Sequence, residues 1–297
     1  MRIFGFLAAI FLLGFSASLL YSSDSGDAEQ FVIVDRNGEQ IEDVEGIAKF
    51  LSQFDVVFFG EKHDSKIAHS FELKFAELLF GERQNFALAM EMFEADNQDA
   101  LDEYVMGKTD FEEFFKKVRL WSNYDDYRPI VDFARSHKIP IIAANIPRKL
   151  ASMVAKNGIE VWNSLPPDEK KYLPKQYSFD NEEYRKKFLA TMQGNPMMAQ
   201  MGGKVNMENL FRAQVVKDEK MAESIAEFLK EHSGTFVYVL CGSFHSDYRL
   251  GTVEKLLARM PELKIATIST VEIPEGKTVD DVKEKYSGIA DFVLFIW

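Results

Sequence analysis

Short apolar runs alternate along the chain with longer stretches in which apolar residues recur every third or fourth position. DVVFFG (55–60), NFALAME (85–91), IPIIAAN (139–145), TFVYVLCG (235–242) and KIATIST (264–270) are apolar on both faces and end at polar or turn residues. Unbroken hydrophobicity over so short a run predicts parallel strands covered on both sides. FVIVDR (31–36) and DFVLFIW (291–297) predict two more strands, placed toward an edge. Between them, SKIAHSFELKFAELLF (65–80) sets Ile67, Phe71, Phe75, Leu78 and Leu79 on one helical stripe. YRPIVDFARSHK (127–138) predicts a helix with Pro129 in its first turn, where a missing N–H costs nothing. A long helix over 211–234 is expected to stop at Gly234, and a short amphipathic one follows at 253–260. Strands alternating with helices predict an α/β fold: a central, mostly parallel sheet with helices on both faces. The stretches 96–126 and 157–211 are too long for simple crossovers and are read as helical insertions that cap the strand ends.

The first residues break this pattern. After Arg2, residues 3–20 carry no charge, and Ser16, Ala17 and Ser18 lie near the end of the apolar stretch. That is the form of a secretory signal, and the stretch is just long enough for an uncleaved membrane anchor. The polar run SSDSGDAEQ follows like a linker. Residues 1–28 are therefore assigned to a signal peptide or N-terminal anchor plus linker, and 29–297 to a single domain. The expected location is periplasmic, or membrane-tethered through the leader. With Cys241 the sole cysteine, an intrachain disulfide, a cysteine zinc site and lipid attachment near the leader are all excluded. A formal charge of −12, with 47 acidic and 35 basic residues and no basic stripe, argues against nucleic acid as a partner.

Chemistry gathers at predicted strand ends. DVVFFG runs into Glu61, Lys62, His63 and Asp64, just before a helix N-terminus that favours anions. NFALAM runs into Glu91, a carboxylate that must be solvated, paired or bound. IPIIAA leads through Asn145 to Pro147 and Arg148; an arginine in a first helical turn opposes the dipole and calls for an anionic partner, either Glu91 or a ligand. TFVYVLC ends in Gly242, Ser243, Phe244 and His245, which brings a second histidine to the same sheet edge. A lone histidine there is usually a satisfied hydrogen-bonding group. Two of them with Glu61 and Glu91 predict one shared pocket. His137 and His232 fall in last helical turns, where a structural role suffices. Met192, Met197, Met198, Met201 and Met207 sit in or beside the second insertion; their thioethers suit an apolar ligand or a soft metal, and an adaptable lid is the favoured reading.

Five stretches taken together, FGEKHDSKIAH, ALAMEMFEADNQDALDEY, YRPIVDFARSHKIPIIAANIPRKL, AQVVKDEKMA and LCGSFHSDYRLGTVEKL, resemble the ChaN-like family, a haem-binding, iron-uptake-associated branch of the Tiki superfamily. The resemblance runs from about residue 40 to 270. It implies haem held near a homodimer interface, with polar groups on the propionates and a tyrosine on the iron. Outer-membrane or membrane-associated uptake components are the implied partners. The family pocket maps onto Glu61, His63, Glu91, Arg148 and His245, with Lys62 beside them. Tyr127 fits the YRP position for the iron ligand, and Tyr124 and Tyr248 remain alternatives. The chain departs from the lipoprotein members in lacking an N-terminal cysteine.

Two occupants are open on the residues alone. Haem binding would use aromatic and Met side chains on the ring face, cations on the propionates and a phenolate on ferric iron. A metal-dependent hydrolase, protease- or esterase-like, would use His63, Glu61, Glu91 and His245, with Glu61 and Glu91 as ligands of a divalent ion. The family resemblance favours haem.

Overall fold

A computed structural model describes residues 31–193 and 206–297. The expected leader and Met197, Met198 and Met201 lie outside the described residues. Eight strands form one sheet: β1 (Phe31–Asp35), β2 (Gln40–Ile41), β3 (Val56–Glu61), β4 (Phe86–Glu94), β5 (Ile141–Asn145), β6 (Phe236–Gly242), β7 (Ile265–Glu272) and β8 (Phe292–Ile296). Their order is β2-β1-β8-β7-β3-β6-β4-β5. All neighbours from β8 to β5 are parallel, and β1 is antiparallel to both β2 and β8. β8 is therefore interior, not an edge strand: the β1–β2 ribbon covers it.

The helices among the described residues are α1 (Val44–Leu51), α2 (Lys66–Glu82), α3 (Gln98–Val105), α4 (Phe111–Lys117), α5 (Tyr124–His137), α6 (Arg148–Asn157), α7 (Pro167–Lys170), α8 (Glu182–Gln193), α9 (Met207–Glu231), α10 (Thr252–Arg259) and α11 (Val279–Val282). One core packs Phe71, Phe75 and Leu79 of α2 and Ile130 of α5 on Val57, Phe59 and Leu88. The opposite core packs Met221, Ile225 and Leu256 of α9 and α10 on Val56, Phe58 and Val237. β3 thus sends alternate side chains into two cores, which is why its sequence is apolar throughout. Burying each such Phe or Leu stabilises by about 1.5–3 kcal/mol.

The direction of travel sets the faces. From β3 to β4 to β5 the chain moves one way across the sheet with α2 and α5 on one face; from β5 to β6 to β7 it returns with α9 and α10 on the other. Right-handed crossovers require that exchange when the direction reverses. The carboxyl ends of the adjacent strands β3, β6 and β4 lie where the two directions meet, the place such sheets use for ligands.

Three local expectations differ from the structure. β4 continues past Glu91 to Glu94, with a register shift between Met90 and Glu94. α5 begins at Tyr124, so Pro129 stands inside the helix and not in its first turn. α9 is capped by His232, two residues before Gly234, whose φ of +79° then turns the chain. No helix among the described residues is long and apolar enough to cross a membrane.

Candidate functional site

β3 delivers Glu61 as its last residue, and the turn through Lys62 and His63 closes on Ser65, whose Oγ caps α2 at the Ala68 N–H. The Glu61 side chain is fully buried, and its two oxygens face different ways. Oε1 lies 2.6 Å from His63 Nδ1 and accepts from the Tyr127 hydroxyl at 2.8 Å. Oε2 faces inward, 3.2 Å from His69 Nδ1. The His63 ring is 43% exposed and meets Trp121 edge-on at 5.0 Å. Its Nε2 has no hydrogen-bond partner among the described residues. Burial acts to lower the His63 pKa, but Glu61 and then Glu91 outweigh it and raise it.

The second group stands across Gly242. Glu91 Oε2 accepts the Gly242 N–H at 2.8 Å, and Glu91 Oε1 lies 3.3 Å from His245 Nε2. His245 Nδ1 donates to Asp218 Oδ1 at 2.7 Å. Asp218, on α9, also accepts from Thr252 Oγ1 and Tyr184 Oη, both at 2.8 Å. Burial alone would lower the His245 pKa; Glu91 and Asp218 overcome it and push it up to about 10. Burial would likewise raise the Glu91 carboxyl, but the His245 imidazolium holds it far below the usual carboxylate range. His245 is therefore a buried cation clamped by two carboxylates.

Two glycines let these groups approach. A Cβ on Gly242 would stand 2.8 Å from His63 Nε2 and 3.6 Å from Glu91 Oε2. A Cβ on Gly60 would stand 2.8 Å from the Ser243 Cα, so the turn carrying His245 rests directly on β3. The structure thus brings together Glu61, His63, Glu91 and His245, as expected from their strand ends.

Other expected residues fall differently. Arg148 opens α6, but its partner is Glu94 at 3.9 Å and not Glu91, whose oxygens are taken by Gly242 and His245. Its side chain is 63% exposed. Lys62 lies near Asp247, a carboxyl that burial pushes up to about 7 against donation from Ser269 Oγ. Tyr127 is 1% exposed, and its hydroxyl proton is held by Glu61. Burial and the Glu61 and Glu72 carboxyls drive that phenol far above its ordinary range. This arrangement argues against Tyr127 as an iron ligand, which would have to be an accessible phenolate. Tyr124 is also buried; Tyr248 carries the Lys187 ammonium 3.3 Å from its ring centre. His137 and His232 bond the carbonyls of Phe133 and Phe228 four residues back, each at 3.0 Å, as helix-end residues do.

The helices contribute residues that strand-end reasoning misses. Asp218 and Tyr184 complete the His245 clamp. His69 and Glu72 of α2 form a second layer behind Glu61, with His69 Nδ1 2.9 Å from Glu72 Oε2. Burial and then Glu61 push the Glu72 carboxyl well above its ordinary range. Among the described residues, the acidic and histidine donors close enough to share one ion are Glu61, His69 and Glu72, not the set of Glu61, His63, Glu91 and His245.

Comparisons with known proteins agree with this architecture. ChaN of Campylobacter jejuni, solved with cofacially bound haem, superposes with a TM-score of 0.65 at 20% identity, over 90% of this chain and 97% of that one. A Bacillus cereus protein superposes with a TM-score of 0.50 at 12% identity, over 89% and 92% of the two chains. Likeness at such identities shows the fold. The chloroplastic protein RETICULATA-RELATED 5 of Arabidopsis thaliana is 24% identical over 224 residues, which is 71% of this chain and 29% of that protein. The chain therefore spans under a third of that relative's length. The family model described as haem-binding uptake, Tiki superfamily, ChaN matches residues 47–256. That match covers well over half of the 297 residues, and the chain belongs to the ChaN family of the Tiki superfamily.

Proposed function

We propose that the protein is an exported haem-binding protein of iron uptake, which takes haem against His63 at the carboxyl edge of the sheet. The observation that carries this reading is the state of the His63 ring. Its Nδ1 is bound to a buried carboxylate, so the neutral ring keeps its proton there and offers the Nε2 lone pair on a half-exposed ring; with the pKa raised, ligation displaces a proton from Nε2. A histidine ligand oriented by a carboxylate on its other nitrogen is the usual arrangement for metal ligation. Family membership supports haem as the occupant. Haem supplies a flat apolar ring, two propionates and an iron that accepts an axial nitrogen.

The surrounding residues fit that group. Trp121 stands edge-on beside His63 and offers aromatic surface to a planar ring. Gly242 lets the His63 ring lie close against the end of β6, and that contact holds the ring in place. Lys62 and the exposed Arg148 are cations for propionates. Tyr127 acts through Glu61, donating to Oε1 and so orienting the carboxylate that orients His63. His245 does not offer a ligand lone pair, because both ring nitrogens face carboxylates. That same clamp disfavours a hydrolytic metal centre built from Glu61, His63, Glu91 and His245. On this reading the protein binds and transfers its ligand without bond-making chemistry. It works in the periplasm or tethered to the membrane by its leader, pairs with a second copy over the haem, and exchanges with uptake components of the membrane.

A haemin titration of the mature domain tests the proposal. A saturable Soret change is expected at one haem per chain, weakened at least tenfold in His63→Ala and little changed in Tyr248→Phe. A wild-type response with no saturation, or an unchanged titration in His63→Ala, would sink it.

A further inference from the structure

Behind the His63 site lies a buried cluster on the inner side of Glu61. Its members are Glu61 Oε2, His69 Nδ1 and the Glu72 carboxyl. All three side chains are at least nine-tenths buried, with relative exposures of 0%, 5% and 1%. Glu61 Oε2 and Glu72 Oε1 are buried oxygens without a hydrogen-bond partner. His69 Nε2 faces the backbone carbonyl of His63 at 3.2 Å. A carbonyl only accepts, so the proton of neutral His69 sits on Nε2 and the lone pair on Nδ1. Three potential metal-ligand groups, Glu61 Oε2, His69 Nδ1 and the Glu72 carboxyl, therefore converge on one buried point. Glu61 Oε2 and Glu72 Oε1 have no partner while His69 Nδ1 faces Glu72 Oε2, and an ion shared by the three groups would draw on both carboxylates. An unpaired buried oxygen is costly to leave that way.

We propose that Glu61 Oε2, His69 Nδ1 and Glu72 hold a divalent first-row transition-metal ion. The spacing fits. His69 Nδ1 lies 3.2 Å from Glu61 Oε2 and 2.9 Å from Glu72 Oε2. Bonds of about 2.0–2.2 Å put neighbouring ligands roughly 2.8–3.6 Å apart at octahedral to tetrahedral angles. The contact of His69 Nε2 with a backbone carbonyl is the outer support that metal-bound histidines show. One nitrogen and carboxylate oxygens suit zinc or manganese better than a soft ion. The ion goes in as the chain folds, because the cluster has no opening to solvent. Bound there, it fixes Glu61 from behind and leaves Oε1 turned to His63 and Tyr127. The site is separate from the haem reading, although the two share Glu61.

The test is a metal count on the full chain. Protein is produced in medium supplemented with zinc or manganese, washed with chelator and desalted, and bound metal is measured by elemental analysis. About one equivalent per chain is expected in the wild type, in His63→Ala and in His245→Gln. Glu72→Gln and His69→Gln should lose at least tenfold. A wild type with under a tenth of an equivalent from both media overturns the proposal. So does metal kept in Glu72→Gln but lost in His245→Gln, which would move the ion to the cleft. Should the α2 variants fail to fold, X-ray absorption on cobalt-loaded wild type decides. One imidazole nitrogen among oxygens supports the site; no nitrogen, or two, refutes it. A failed haemin titration would leave each of these outcomes intact.

Discussion

His245 and Glu91 show how a buried charge sets a pH range for stability. Glu91 and Asp218 hold His245 protonated up to about pH 10, while an unfolded histidine titrates near its model value of 6.5. Between those values the native state binds more protons than the unfolded one, so stability falls as pH rises through that interval. The depressed Glu91 acts in the opposite sense: its contribution is present above the ordinary carboxylate range and is lost as pH falls below it. Stability should therefore be greatest in mildly acidic to neutral solution. His245→Gln strands two buried carboxylates and should cost about 3–5 kcal/mol at pH 6, with a flatter alkaline limb. Urea denaturation at pH 6 and pH 9 measures both, and an alkaline slope unchanged from wild type would contradict the assignment. Glu61, His63, Glu91 and His245 were legible because a charged group at the end of an apolar strand has few ordinary reasons to be there. Asp218 was equally visible in principle: it interrupts the buried stripe of Val215, Met221 and Ala222 on an otherwise amphipathic helix. His69 and Glu72 were hidden because a polar residue on a helix is unremarkable until the packing shows that its face is the buried one.

At the scale of elements, the site depends on how closely three strand ends and one turn approach. Gly60 and Gly242 occupy the parallel register position where β3 and β6 are paired, Gly60 against Cys241 and Gly242 against Glu61. An alanine at each meets a different neighbour. At Gly60 the added methyl strikes the Ser243 backbone, which cannot move without carrying His245 with it. At Gly242 it strikes the tip of the His63 ring, which can swing away. Gly60→Ala should therefore destabilise the fold by about 1–3 kcal/mol. Gly242→Ala should leave the melting temperature within a few degrees of wild type yet weaken haemin binding at least tenfold, because His63 loses its orientation. Thermal melts paired with haemin titrations separate the two, and equal losses of stability would contradict this division. The strands themselves were readable from their two-sided hydrophobicity. The run of β4 past Glu91 was not: the apolar run is expected to end at Glu91, and only pairing of Glu94 with Asn145 across the register shift extends the strand. The early start of α5 was obscured by Pro129, whose usual place is a first turn.

At the scale of the whole molecule, the haem reading has a consequence for assembly. Haem has two faces, and one chain presents a single oriented imidazole, that of His63. His245 is locked between Glu91 and Asp218, and Tyr127 is buried behind Glu61, so neither can serve the second face. The ring would then be half covered, with apolar surface facing water, and apolar area left exposed favours association. A second copy of the chain, bringing its own haem against the first, covers both rings with the same residues used twice, as two-fold symmetry requires. Haemin should therefore drive dimerisation. Sedimentation velocity at micromolar protein should show a monomer without haemin and a dimer once haemin reaches one equivalent per chain. His63→Ala should remain monomeric across the titration, because it lacks the group that orients the ring, while Glu72→Gln should still dimerise, because its carboxyl lies on the far side of Glu61. A wild type that saturates with haemin yet stays monomeric would mean that the second face is closed by the chain's own cap, and the homodimer would have to be abandoned while the His63 assignment stood.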